Sequence, residues 1–203
     1  SSVCANGWTG TFKEGSIGPP AAGVEMRIVD EAGNPLPDGE VGEIAIRGDT
    51  VFAGYWNNRE ATAEVFTEEG WFRSGDLGYR DEEGFFFITD RKKDIIITGG
   101  HNVSPREVEE VLMGHPGIAE AAIVGVAENR NEDTNEIIVA YVVPREPGLT
   151  VEEVNEFCRS EFAPYKRPRR VELVEALPKS ATGKVLRTSL RGEVKDKRLV
   201  EKE

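Results

Sequence analysis

A chain of 203 residues, 38% hydrophobic and 31% charged, is long enough for one domain with a real core or for two small ones, and its composition is globular rather than disordered. Its formal net charge of −12 makes nucleic acid and anionic membrane poor partners, although a local basic patch can still hold a small anion. The apolar runs are too short for a transmembrane segment.

No cationic-then-apolar stretch opens the chain. Cys4 and Cys158 stand apart with no CxxC pattern, so a reducing, cytoplasmic setting is expected. His101 and His115 are the only histidines, too few with two isolated cysteines for a structural zinc site, and no metal site is expected. The sequence starts at Ser1 rather than methionine, which is the expectation for a processed protein or a fragment.

Residues 1–20 are rich in Gly, Ser, Thr and Pro and read as loop. Val24, Met26 and Ile28 alternate with charged residues, and 43–47 alternates in the same way after a turn cluster at 31–39. Strand, turn and strand at this spacing predict a small antiparallel sheet or open barrel. A short helix is expected over 58–66, then two strands, at 71–72 and 85–88, around a Gly-Asp-Leu turn that carries Asp76. Four charges, Asp90, Arg91, Lys92 and Lys93, then separate two apolar runs. Such a wedge cannot lie in a continuous core, so a change of domain is expected near 90–93.

Beyond it, 95–97 reads as a short buried strand and Gly99-Gly100 as a loop. Ser104 and Glu107 have capping-box spacing, with Pro105 at the first helical position and Val108, Val111 and Leu112 as the apolar face. Residues 119–126 and 136–143 are apolar nearly throughout, as strands covered on both faces are. A polar loop is expected at 129–135. Thr150 and Glu153 form a second capping-box pattern ahead of Val151, Val154, Phe157 and Cys158, and Pro164 stops that helix. A last strand is expected at 170–174, and a terminal helix at 185–191 that frays into a charged tail. The fold class is therefore α+β: a small, mostly-β part followed by a compact α+β unit.

Four features can carry chemistry, each with a plainer reading beside it. Lys184 ends PKSATGK at 178–184, which departs from a nucleotide P-loop at Pro178 and at Val185. A lysine on such a loop can reach a phosphate or carboxylate, or simply be solvated. Asp76 can accept from two vicinal hydroxyls, as on a ribose, or bond its own turn. Gly99-Gly100 permits close approach of a ligand, or a tight turn. Lys166, Arg167, Arg169 and Arg170 form a basic cluster in an acidic chain, fit for a phosphate or merely a solvated loop.

Taken together, GYW at 54–56, GWFRSGDL at 70–77, DRKKD at 90–94, GGHN at 99–102, PREVE at 105–109 and PKSATGKVLR at 178–187 resemble the adenylate-forming enzymes: acyl-CoA synthetases, peptide-synthetase adenylation domains and firefly-type luciferases. The resemblance covers nearly the whole chain but only the C-terminal portion of the family's length. It implies that residues 1–92 are the incomplete C-terminal β subdomain of a large adenylation domain, and 93–203 a mobile small domain. It implies ATP, with magnesium from the nucleotide complex, and CoA as cofactors, a fatty or aryl carboxylic acid as substrate, and the absent N-terminal adenylation domain as partner. Asp76 is similar to the ribose-binding carboxylate, Arg91 to a nucleotide-contacting arginine and Lys93 to the domain hinge. Lys184 is similar to the lysine that bridges acyl carboxylate and α-phosphate. Gly99, Gly100, His101 and Asn102 resemble the segment lining the pantetheine tunnel, and Lys166, Arg167 and Arg169 loosely resemble residues that meet the CoA phosphates. The loop at 131–136 differs from the pattern of many relatives and receives no role. The resemblance makes this an AMP-forming acyl-CoA ligase whose fragment is inactive alone; a peptide-synthetase adenylation domain and a non-catalytic docking module are the alternatives.

Overall fold

Alternation of apolar and polar residues shapes the first part of the chain. In the computed structural model, which describes residues 3–7, 10–127 and 135–192, strands β1 (Val24–Val29), β2 (Gly42–Gly48), β3 (Phe72–Arg80) and β4 (Phe86–Arg91) form one antiparallel sheet in that order. Val24, Met26, Ile28, Ile44, Ile46 and Phe86 are buried on one side of it, and Val29, Ala45 and Trp71 form a smaller buried cluster. Helix α1 (Arg59–Val65) falls where its sequence pattern places it, because Asn58 Oδ1 accepts from Ala61 N at 3.0 Å and caps the first turn. The β3–β4 connection is closed by Asp81, whose Oδ1 accepts from Glu83 N and Phe85 N at 3.0 and 2.9 Å.

The chain divides into two units, Ser1–Lys93 and Asp94–Glu203. A 3-10 turn, Lys92–Asp94, follows β4. The second unit starts with β5 (Ile96–Thr98) and β6 (His101–Val103), a hairpin with Thr98 opposite His101. Its two-residue turn is Gly99-Gly100 with φ of +55° and +78°, the positive pair that matches the twist of the flanking strands. The expected buried strand at 95–97 is thus one arm of a hairpin. A hairpin covers one face, so Ile96 is fully buried while Ile97 stays 44% exposed. The β6 arm has no alternating apolar pattern of its own, and nothing in the local sequence predicts it.

Helix α2 (Pro105–Met113) is capped by Ser104, whose Oγ accepts from Glu107 N at 3.0 Å. It buries Val108 and Leu112, each side chain of that size stabilising the fold by about 1.5–3 kcal/mol. Strands β7 (Ile118–Ala127) and β8 (Glu136–Pro144) pair antiparallel, and β9 (Arg170–Leu173) adds parallel to β8 after helix α3 (Val151–Glu161), as a parallel neighbour requires a crossover. The near-continuous apolar runs of β7 and β8 are covered on both faces, as expected. Ile138, Ala140 and Val142 pack with Val108, Leu112, Val154 and Cys158, while Val139 and Tyr141 pack with Leu177 and Leu190. The capping box of α3 is complete, with Glu153 N donating to Thr150 Oγ1 at 3.2 Å and Thr150 N donating back to Glu153 Oε2 at 2.8 Å. A last helical segment runs over 187–192. The expected loop at 129–135 falls almost wholly, and the charged tail after 192 wholly, outside the described residues. Among the described residues no helix is long and apolar enough to cross a membrane.

Candidate functional site

In the first unit, Asp76 does not sit in a turn as its Gly-Asp-Leu context implies. It lies inside β3, with Arg91 of β4 as its cross-strand partner and Arg91 Nε donating to Asp76 Oδ1 at 2.9 Å. The glycines around it serve irregularities of the strand instead. Between the β2 pairs Glu43–Leu77 and Ala45–Arg73, one residue of β2 faces three of β3, so Ser74, Gly75 and Asp76 bulge. Gly75 takes φ +73°, a left-handed conformation open to glycine, and Gly78 leaves no room for a side chain because a Cβ there would lie 2.2 Å from Phe87 O. A second irregularity separates Leu77 and Gly78 against β4. Bulges re-aim side chains, and here they bring a carboxylate and a guanidinium together, both partly exposed.

The bulge is held by Glu43, which in its sequence context reads only as a strand residue. Its side chain is buried, with Oε1 accepting from Gly75 N at 3.1 Å and Oε2 from Arg73 Nη2 at 2.7 Å and Lys92 Nζ at 3.3 Å. A signal for it exists in the strand pattern: Glu43 is in phase with buried Ala45, so its carboxylate has to find partners inside. A cavity of about 280 Å³ opens beside it, bordered by Glu43, Tyr55, Ser74, Gly75 and Lys92 among others.

In the second unit, Gly99 and Gly100 are exposed at the tip of the β5–β6 hairpin, and a Cβ on either would meet nothing within 4 Å. Gly99 N donates to Asn135 Oδ1 at 2.9 Å. The His101 ring stacks on Tyr165 with centroids 4.3 Å apart, so an aromatic to which no motif points joins the expected residues. Lys166 Nζ donates to Glu107 at 2.5 Å, and that hydrogen bond raises its pKa. Arg167 is turned inward. It donates to the carbonyls of Phe162 and Arg159 at 2.8 and 3.0 Å and so closes the C-terminal end of α3. Arg169 and Asn102 are exposed.

Lys184 stands on a small closed hairpin. Ser180 N donates to Lys184 O at 2.8 Å, Gly183 N to Ser180 O at 2.9 Å, and Leu186 N to Pro178 O at 2.8 Å, with Gly183 at φ +81°. Lys179 Nζ, 2.6 Å from Glu120, ties the hairpin to β7. Just beyond, Arg187 Nη2 donates to both carboxylate oxygens of Glu109 at 2.8 Å, and Glu109 Oε1 also accepts from Ile123 N at 2.8 Å. Lys184 itself is exposed, and among the described residues of its unit no side chain pairs with its ammonium. Lys93 is likewise exposed, at the end of the first unit. Among the described residues no three His, Cys, Asp or Glu side chains gather as a metal site.

The chain that carries these residues matches a known family at the level of sequence. Residues 1–56 match the family model of the AMP-binding enzymes, and residues 107–184 match that of the AMP-binding enzyme C-terminal domain. The chain belongs to the adenylate-forming superfamily. A long-chain-fatty-acid–CoA ligase of Escherichia coli is 42% identical over 195 residues, which cover 96% of this chain and 34% of that protein. A sulfoacetate–CoA ligase of Cupriavidus necator is 44% identical over 182 residues, covering 89% of this chain and 35% of that protein. The crystal structure of ATP-bound MatB from Rhodopseudomonas palustris superposes with a TM-score of 0.81 at 39% identity, covering 90% of this chain and 36% of that one. The chain thus spans about a third of the length of the adenylate-forming relatives it matches.

Proposed function

We propose that these residues are the C-terminal part of an acyl-CoA synthetase that turns a carboxylate, ATP and CoA into acyl-CoA, AMP and pyrophosphate. In the first step a carboxylate oxygen attacks the α-phosphorus and the bond to pyrophosphate breaks. In the second, a thiolate sulfur attacks the acyl carbon and AMP leaves with the electrons of the carbon–oxygen bond. Negative charge on the α-phosphate oxygens peaks in the first step, and a preorganised cation placed there stabilises it.

The observation that carries this reading is Lys184: an ammonium without a partner in its unit, on a loop closed by backbone hydrogen bonds. Asp76 accepts from the ribose hydroxyls, and Arg91 reaches the nucleotide. Rotation of the second unit about Lys93 withdraws Lys184 after the first step and brings Gly99, Gly100, His101 and Asn102 to the thiol. Lys166 and Arg169 meet the CoA phosphates, and Arg167 fixes the loop that carries them. ATP and CoA are substrates in this scheme, and magnesium arrives with the nucleotide. In this scheme the loop that cradles the outer phosphates and the acyl pocket belong to the part of the relatives' length that these 203 residues do not span, so by themselves they align no substrate and form no adenylate.

The test is Lys184→Ala in the full-length protein. Loss of one such electrostatic contact typically lowers the rate about a hundredfold to a thousandfold, so acid-dependent pyrophosphate exchange should fall by that factor. Conversion of a supplied acyl-adenylate to acyl-CoA should be unchanged. Equal loss in both half-reactions overturns the assignment.

A further inference from the structure

Glu43 is the one buried charged residue among the described residues, 6% exposed, and the proposed chemistry makes no use of it. A buried carboxylate persists only where donors surround it. Its four donors divide by oxygen. Oε2 takes Arg73 Nε at 3.0 Å, Arg73 Nη2 at 2.7 Å and Lys92 Nζ at 3.3 Å, while Oε1 takes the backbone N–H of Gly75 at 3.1 Å. Gly75 is the middle residue of the bulge and holds φ +73°. The next N–H, that of Asp76, donates to Ser74 Oγ at 3.1 Å. In the bulge the β2–β3 register is interrupted, and these two amides bond side chains instead.

From this geometry we infer that Glu43 is a positioning residue for nucleotide selection: it sets the bulge that aims Asp76 and, through the 2.9 Å ion pair, Arg91. The inference rests on the reading of Asp76 as the ribose carboxylate. Glu43 itself touches no substrate. Its carboxylate is needed because one side chain must present an acceptor to Arg73 and another to Gly75 at once. A carboxamide of the same shape has one acceptor. With its oxygen toward the guanidinium it turns an NH₂ group on the Gly75 N–H, and the bulge loses its anchor.

The experiment compares ATP with 2′-deoxyATP in the full-length enzyme. Glu43→Gln should lower kcat/KM for ATP about tenfold, a typical effect of losing a hydrogen bond to a charged group, and lower it much less for 2′-deoxyATP. The ratio between the two nucleotides should shrink toward that of Asp76→Ala. A variant that is merely less stable loses both activities alike and keeps the ratio, which overturns the inference. If Asp76→Ala erases discrimination while Glu43→Gln preserves it, the role of Glu43 alone is refuted. If Asp76→Ala itself preserves discrimination, the ribose assignment fails and takes the inference with it. Should Glu43→Gln not fold, the double variant Glu43→Met with Arg73→Met removes both charges and still leaves Gly75 N–H without its acceptor, and the same ratio decides.

Discussion

Arg187→Met isolates the force that holds the Lys184 hairpin to the second unit. Arg187 reaches both oxygens of Glu109 at 2.8 Å, and the two side chains are 23% and 18% exposed. Methionine keeps most of the packed stem and deletes the cation. Breaking a fully buried ion pair costs about 3–5 kcal/mol, and an exposed pair is worth about 0–1. This pair lies between those limits, and Glu109 keeps the Ile123 N–H at 2.8 Å. Arg187 Nε is buried without a hydrogen-bond partner, so its removal relieves part of the loss. The balance is about 2 kcal/mol, which lowers the melting temperature of a unit this size by about 8 °C and amide protection about thirtyfold. All three tryptophans, Trp8, Trp56 and Trp71, precede Lys93, so tryptophan fluorescence cannot see the event. Backbone hydrogen exchange read over α2 and residues 187–190 can. Glu109→Gln on top of Arg187→Met should cost less than the sum of the two single changes, since the two side chains interact directly. Unchanged protection in α2, or strict additivity in the double variant, would refute the coupling.

Thr150→Ala should destabilise α3 by about 1 kcal/mol, measured by exchange of its first-turn amides, because the cap oxygen is lost. Hydrogen bonds from the Thr150 N–H and hydroxyl hold the Glu153 carboxyl below its ordinary range. Its contribution is therefore present above about pH 4.3, the unfolded value, and disappears as pH falls through the lower folded one; in a melting series the gap between wild type and Thr150→Ala that comes from the lost cap oxygen should persist in acid, because that bond to the Glu153 N–H does not titrate. Burial pushes the Cys158 thiol up to about 11, so iodoacetamide at pH 8.5 should label it about a hundredfold more slowly in native than in denatured protein, followed by peptide mass spectrometry. The same shift makes stability fall as pH rises from about 8.5 toward 11, and native labelling at the denatured rate would contradict it.

What is legible in the sequence is local. Ser104 and Thr150 announce their helices because a cap bonds an amide three residues away, and the Gly99-Gly100 pair marks a turn because both residues need positive φ. The apolar runs of β7 and β8 announce two covered faces by lacking polar alternation. Asp76 looks like a turn residue for the opposite reason. Whether Gly-Asp-Leu-Gly turns or bulges depends on the strands to either side, and the partner is Glu43, over thirty residues earlier in the chain. Arg167 has the look of free charge in a basic cluster; only the fold brings the Phe162 and Arg159 carbonyls to it.

The same distance hides both carboxylates on which the candidate site depends. Glu43 and Glu109 do parallel work in separate units: each binds an arginine and a backbone N–H from a strand, Gly75 in one case and Ile123 in the other. A carboxylate suits this task because it accepts on two sides at once, toward a cation and toward an amide the local ladder has left over. Its own charge is neutralised in doing so. Two of the groups proposed to meet substrate, Lys184 and Asp76, are thereby left to act. Lys184 remains without a partner in its unit while its neighbours Lys179 and Arg187 are paired, and Asp76 holds only a partly exposed guanidinium, which a ribose can join or displace. A cation poised for a developing negative charge must not be neutralised beforehand, and a loop free enough to leave its ammonium unpaired loses its aim unless something else fixes it. The anchoring of Arg187 and Lys179 on either side of Lys184 supplies that fixation, which is why loss of Arg187 should cost adenylation rate as well as stability.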